Sequence, residues 1–393
     1  MSGVFIHHTR LLLPDGRIER GSLLFDGRIR AVAHHDAPAP PDVAVIDAGD
    51  ALLTPGLIDV HTHGIGTHAF ERSPEDLRAG LAMLPRFGVT IILPTLYRVL
   101  KPEHFPLLGR LADALVETNG ASAPGFHLEG PFLAIAGAGA LTLRPDVGFL
   151  DELLAACRHR VAAMSVSPEL PGIVPVIEGL RERGVVVFIT HTRASVEQTQ
   201  AAIDAGARHA THFYDVFPPP PEPEPGVRAV GAVEVMLGDE RASVDFICDG
   251  VHVHPAAIRA ALAAKGPGGV VAITDSNVGA GLPPGEYDTP WGYRVRVASG
   301  DAARVADVGH PTYGTLSGSN LTLNVAVANL QRWLPASHAA TAWRMATQNP
   351  AQLLGLPDRG VIADGAVADL VLWNDDLTPR CTWAGGKPVF GRA

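Results

Sequence analysis

His61-Thr62-His63 is the first group in the chain whose types and spacing could do chemistry. In an extended segment residues two apart point to the same side, so both imidazoles can reach one metal ion. The pair ends an apolar run and a glycine follows it. A second such pair, His252 and His254, shows how little the spacing means alone. Glu129 follows in His127-Leu128-Glu129-Gly130-Pro131, where its carboxylate could bridge two cations or, more plainly, pair with a distant base. Thr190-His191-Thr192, Thr211-His212-Phe213 and Thr274-Asp275-Ser276 each close a further apolar run. Any one of these histidines is more readily a hydrogen-bonded core or rim residue; their shared position at run ends singles out the set. His61, His63, Glu129, His191, His212 and Asp275 offer N and O donors without a cysteine. That suits one or two divalent ions, Zn²⁺ first and Fe²⁺ second, whereas Mg²⁺ avoids imidazole-rich cages. A bound ion lowers the pKa of its water to about 7. Asp275 is then the general base, taking the proton as the water attacks a carbonyl and passing it to the departing nitrogen. That chemistry is hydrolysis of a C–N bond.

Such distant positions must be gathered by regular elements. Continuous apolar runs predict strands at 57–64, 89–96, 126–132, 161–169, 185–192, 209–213, 243–250 and 270–276. Ala/Leu-rich stretches predict helices at 74–87, 103–118, 149–158, 172–183, 195–205, 228–237 and 255–264. Alternation of this kind predicts an α/β fold, a (β/α)₈ TIM barrel whose strand ends share one face. The competitor is an open, doubly wound parallel sheet. Residues 3–53 and 361–393 read as short strands with turn signals such as Asp26-Gly27 and Gly385-Gly386, which predicts one small β domain built from both chain ends. The expected division is 1–53 and 358–393 for a β-sandwich and 54–357 for the barrel. Two segments interrupt the rhythm. FPPPPEPEPG (217–226) is expected to be extended and exposed, either a stiff surface loop or a lid edge or subunit contact. GEYDTPWGYRVRV predicts a hairpin inserted after the eighth strand, at the barrel mouth.

Composition narrows the partners. Of 393 residues 47% are hydrophobic and 18% charged, enough for a full core. Lys and Arg number 31 against 41 Asp and Glu, for a net charge of -10, and no basic run occurs, so nucleic acid and anionic membrane are poor partners. Three cysteines without close spacing point to a reducing compartment. No secretory leader and no apolar run near ~20 residues is visible, so a cytoplasmic enzyme with a small-molecule substrate is expected.

The motifs taken together resemble the amidohydrolase superfamily, and within it the N-acetylglucosamine-6-phosphate deacetylases. The resemblance runs from TPGLIDVHTHG (54–64) through HLEGPF, His191, THFYD (211–215), DGVHVH (249–254) and AITDS (272–276) to TLSGSNLTL (315–323) and ADGAVADLVLW (363–373). It implies a metal-dependent (β/α)₈ barrel with a small β-sandwich, and a homodimer. It further implies that Glu129, His191 and His212 hold the main metal, that His61 and His63 match members with a second metal, and that Asp275 is the catalytic carboxylate. His252 corresponds to a histidine that reaches the substrate, and Leu316 to Ser319 to the wall of the sugar pocket. Three places depart from the pattern. Leu141 stands where the family has a histidine touching the acyl oxygen. Pro223 replaces an arginine that contacts phosphate, with Arg228 a loose substitute. Tyr214-Asp215-Val216-Phe217 stands where the family has Tyr-Asn-Ala-Met. Asp215 would disfavour a phosphorylated sugar by about 1 kcal/mol or more if the two charges lie close in a partly shielded site.

Deacetylation of an N-acetyl amino sugar is the leading expectation. The alternatives are hydrolysis of a different, unphosphorylated amide (an N-acyl sugar or amino acid, or a cyclic amide) and a catalytically silent binding barrel.

Overall fold

Runs of apolar residues become parallel strands where both faces can be covered. The computed structural model, which describes residues 3–116, 119–137 and 139–392, contains eight of them: β1 (Leu57–Thr62), β2 (Val89–Leu96), β3 (Phe126–Glu129), β4 (Val161–Val166), β5 (Val186–Ile189), β6 (Ala207–Ala210), β7 (Ser243–Ile247) and β8 (Val270–Ile273). They pair side by side in chain order. The ring closes between β8 and β1. There the Asp275 amide donates to the His61 carbonyl at 3.0 Å and the His63 amide to the Ser276 carbonyl at 2.8 Å. Thr274 Oγ1 also donates to Asp59 at 2.6 Å. This closure excludes the open, doubly wound sheet.

Every residue of β1 and β2 is buried, as strands between two apolar layers must be. Alternate side chains serve the two layers. Ile58, Val60, Ile91, Leu93, Phe188 and Ile273 fill the barrel interior, while Leu57, Val89, Ile92 and Leu96 face the helices.

One helix follows each barrel strand: α1 (Pro74–Met83), α2 (Phe105–Ala114), α3 (Val147–Ala156), α4 (Ile173–Glu182), α5 (Val196–Ala205), α6 (Ala232–Gly238), α7 (Pro255–Lys265) and α8 (Leu323–Trp333); Ala339–Ala346 and Gln348–Leu353 come after α8. Their starts follow local chemistry: Ser73 caps α1, Asp146 caps α3, and Ser195 with Gln198 forms a capping box on α5. The helix expected over 74–87 ends as α-helix at Met83 and continues as a 3₁₀ turn, Leu84–Phe87, stopped by Gly88 at φ +78°. The helix expected over 103–118 is α2 behind a short 3₁₀ turn, and its last two residues, 117 and 118, lie outside the described residues. The helix expected over 228–237 begins only at Ala232, because Gly231 and Glu234 set its N-terminus.

After β8 the expected hairpin is present. Gly285–Asp288 pairs with Arg294–Val297, and Arg304–Val305 adds a third antiparallel strand. The proline-rich stretch after Phe217 has no regular structure and is mostly exposed.

Strands from both chain ends form one eight-stranded sheet. Leu52–Pro55 is its seam, parallel to Val4–Leu12 on one side and antiparallel to Leu370–Trp373 on the other. Ile6, Leu23, Phe25, Leu53, Leu372 and Trp383 give this sheet a core of its own. Among the described residues no helix is long and apolar enough to cross a membrane.

Candidate functional site

Each of the six donor residues stands at the end of a barrel strand or within two residues of it, on the rim where strands run out. His191, His212 and Asp275 lie just beyond β5, β6 and β8 with φ of +49°, +36° and +46°. A left-handed backbone is costly for side chains with a Cβ. Three such turns at equivalent strand ends aim three side chains inward.

The inward groups meet. His191 Nε2 lies 3.2 Å and His212 Nε2 3.0 Å from Glu129 Oε1. His63 Nε2 lies 3.5 Å from Glu129 Oε2 and 3.3 Å from Asp275 Oδ1, and His61 Nε2 lies 3.6 Å from the same Asp275 oxygen. His61, His63 and Asp275 form one group of donor atoms within 4.8 Å of each other, and His61, Glu129 and His212 form another. All six residues are buried.

The far side of each ring is held as well. Nδ1 of His63, His191 and His212 faces the carbonyl oxygen of Thr95 (3.2 Å), Ile135 (2.8 Å) and Asp215 (3.4 Å), respectively. With Nδ1–H given to a carbonyl, release of the Nε2 proton would leave that lone pair directed at the cluster, the usual support of a metal-bound histidine. His61 Nε2 is buried with no hydrogen-bond partner, a costly state that a cation would relieve. Asp245 supports from below. It accepts from the His212 amide (2.5 Å), Thr211 Oγ1 (2.9 Å) and His209 Nε2 (2.8 Å).

Electrostatics agree with this geometry. Burial opposes ionisation of Glu129, but hydrogen bonds from His191 and His212 outweigh it and hold the carboxyl well below the usual range. Asp275 is likewise held low, against burial, by His61 and His63. Burial opposes charge on His212, yet the hydrogen bond to Glu129 raises its pKa to about 10. By contrast burial, and then His61, pushes His127 well down, so it sits neutral behind the cluster, bonded to Ser165 at 2.7 Å. The cluster thus attracts positive charge strongly, and its imidazole and carboxylate donors fit a divalent metal ion.

A cavity of about 710 Å³ opens above the cluster. It is lined by His252, Asp215, Val216 and Leu316, as well as by His63, Glu129, His191, His212 and Asp275. His252 is held by Asp249, its Nδ1 lying 2.7 Å from Oδ2. Burial opposes its charge, and the Asp249 hydrogen bond outweighs that to raise its pKa.

Two expected contacts are not brought to this cavity. Leu141 packs against the outer core, and its neighbour Ala140 lines the wall instead. Arg228 points away, its Nη2 2.6 Å from Glu234 Oε1, beside a separate cavity of about 410 Å³ walled by Phe217, Pro218 and Pro220. Glu234 is fixed at the start of α6, where it also accepts from the Gly231 amide at 3.1 Å, so it captures the arginine.

Other lining residues escaped the sequence reading: Tyr97, Arg98, Asn277, Trp291, Tyr293 and His310. Tyr97 and Arg98 directly follow β2, the same strand-end position that singled out the histidines. Glu71, buried, binds that turn through the amides of Tyr97 (3.1 Å) and Arg98 (3.2 Å).

A model of the amidohydrolase family matches residues 52–389. The chain is 29% identical to an N-acetylglucosamine-6-phosphate deacetylase of Lysinibacillus sphaericus, over 98% of this chain and 97% of that protein. It is 32% identical to an N-acetylgalactosamine-6-phosphate deacetylase of Escherichia coli O157:H7, over 96% of this chain and 97% of that one. It is also similar to the structure of a variant N-acetyl-D-glucosamine-6-phosphate deacetylase from Mycobacterium smegmatis in complex with N-acetyl-D-glucosamine-6-phosphate. There the TM-score is 0.85 and the identity 30%, over 99% of this chain and 100% of that one. With the rim cluster, the closed barrel and a family match spanning most of its length, the chain belongs to the amidohydrolase family.

Proposed function

We propose that this chain is a metal-dependent hydrolase that removes the acetyl group from an N-acetyl amino sugar. One observation carries the reading: His63, His191 and His212, each with Nδ1 turned to a backbone carbonyl, direct Nε2 at two buried carboxylates. The relatives that act on 6-phosphates of N-acetylglucosamine and N-acetylgalactosamine supply the substrate class. In this reading Glu129, His191 and His212 hold one ion, and His61 and His63 contribute to a second position. Zn²⁺ suits these donors best, with Fe²⁺ next. When bound, the ion supplies a Lewis acid and an acidified water at neutral pH. Asp275 takes the proton of the attacking water on its carboxylate and delivers it to the amide nitrogen as the C–N bond breaks. His252, oriented by Asp249, hydrogen-bonds the substrate, while Val216 and Leu316 offer apolar surface to the ring. Three buried, free cysteines suit a cytoplasmic setting.

A second reading, an amide without phosphate, is favoured by Asp215 on the cavity wall and by Arg228 lying outside it. Acetate release by zinc-loaded protein from N-acetylglucosamine 6-phosphate, N-acetylgalactosamine 6-phosphate and N-acetylglucosamine separates the two. A higher kcat/KM on the phosphorylated sugars supports the first. Equal or better turnover of the unphosphorylated sugar favours the second, and no acetate from any of them, with metal bound, refutes sugar deacetylation.

A further inference from the structure

We infer that Arg98 is the anion-recognising residue of this cavity, binding a phosphate monoester or carboxylate carried by the N-acyl substrate. The inference rests on the hydrolase reading for its substrate, but on separate residues for its geometry. Among the described residues that line the cavity, Arg98 is the only lysine or arginine. The acidic wall residues are Glu129, Asp215 and Asp275, so away from the wall's histidines and any bound metal an anionic substituent is attracted at Arg98.

The guanidinium is seated in advance. Its central carbon lies 4.9 Å from the Trp291 ring centroid and 5.2 Å from that of Tyr97. Its Nε donates to Tyr97 Oη at 2.9 Å. The backbone beneath is fixed by Glu71, through the Arg98 amide at 3.2 Å. A planar cation held against two aromatic rings loses little freedom on binding, and its N–H groups form a planar set of donors suited to an anion's oxygens. The spacing to the chemistry is short. The Tyr97 ring that carries Arg98 lies 4.8 Å, centroid to centroid, from His63. A small molecule can therefore have its amide at the cluster and its charged end at Arg98. Trp291 belongs to the loop between the inserted strands, so this part of the site is built by the insertion after β8.

The test uses binding as well as turnover. Calorimetry of zinc-loaded protein with glucosamine 6-phosphate, glucosamine and N-acetylalanine is compared between wild type, Arg98→Gln and Arg98→Lys. Arg98→Gln is expected to weaken glucosamine 6-phosphate, N-acetylalanine or both by about 10- to 100-fold and to leave glucosamine within about 2-fold. Which of the two anions loses affinity tells whether phosphate or carboxylate is the natural group. Arg98→Lys keeps the charge without the fork and is expected to recover part of the loss, which also guards against a misfolded glutamine variant. On any anionic N-acetyl substrate that turns over, KM should rise with kcat within about 3-fold. Equal weakening of charged and neutral probes, no weakening at all, or a fall confined to kcat would overturn the inference. Selective loss of anion binding in a protein that hydrolyses none of the amides would uphold Arg98 and reject the hydrolase reading instead.

Discussion

Asp275 is held by two imidazoles rather than by a lysine or arginine, 3.6 Å from His61 Nε2 and 3.3 Å from His63 Nε2. A carboxylate so placed can accept a proton and still be screened by its neighbours, which is what the proposed base must do. Asp275→Asn keeps the shape but removes the proton acceptor. We expect kcat to fall by about 10²- to 10⁴-fold with the metal retained, measured by acetate release beside elemental analysis. More than a tenth of the activity left would remove Asp275 from the mechanism. Gly137 tests the support of His191. A Cβ there would sit 2.1 Å from His191 Cε1, on a backbone at φ +54°. Gly137→Ala should therefore displace the ring and weaken metal binding tenfold or more in a chelator competition. Gly172→Ala is the control: φ is +86° and nothing lies within 4 Å of the new Cβ. It should cost about 1–2 kcal/mol of stability from backbone strain and leave metal affinity unchanged.

Elements matter here through their ends. β1 delivers His61 and His63, and the chain then turns through the short pair Gly64–Ile65 and His68–Ala69 into α1. Asp76, in the first turn of α1, ties that turn down: it accepts from Arg72, from His68 Nδ1 at 3.0 Å and from Ser73 Oγ at 3.1 Å. Burial opposes its charge, but the Arg72 and then the His68 hydrogen bonds win and lower its pKa. A carboxyl whose folded pKa is depressed adds stability that is present above its ordinary value, near 3.8, and is lost as pH falls through the folded value. Asp76→Asn is thus expected to cost about 1–3 kcal/mol in urea unfolding at pH 7, about the same at pH 5, and clearly less at pH 3. A deficit that stays constant down to pH 3 would mean that the charge is not what α1 uses. Strand ends were readable in the sequence because an apolar run stops at a polar residue whatever lies around it. Helix starts were less so: Gly231 and Glu234 shorten α6 through a hydrogen bond between them, which spacing alone does not announce. The left-handed backbone at His191, His212 and Asp275 was not readable at all, since none is a glycine and the strain exists only because the barrel imposes it.

At the scale of the whole molecule, chain ends more than three hundred residues apart share one sheet, and that sheet is seated on the barrel. The sequence showed two strand-rich ends and so predicted their union. It could not show the register, because pairing Leu52–Pro55 with Leu370–Trp373 depends on where the barrel returns the chain. For the same reason the cavity was legible at its floor, where strand-end residues converge, and not at its wall. Arg98 gains its meaning only from Trp291, almost two hundred residues on and carried by an insertion. Trp373 is the joint between sheet and barrel. It is 1% exposed, its Nε1 donates to Thr54 Oγ1 at 2.8 Å, and its ring lies 5.4 Å from that of Trp343 in the helix Ala339–Ala346. It also fills the space against Gly88, where an added Cβ would come within 2.4 Å of it. Trp373→Ala removes a large buried ring and leaves Thr54 without its donor. The expected loss is about 3–5 kcal/mol. Because the joint touches both chain ends and the barrel, we expect the variant to unfold in one step, with tryptophan fluorescence and far-ultraviolet circular dichroism changing together. Two separated transitions would show instead that the proposed division near residues 53 and 358 marks units that are stable apart, and that Trp373 belongs to only one of them.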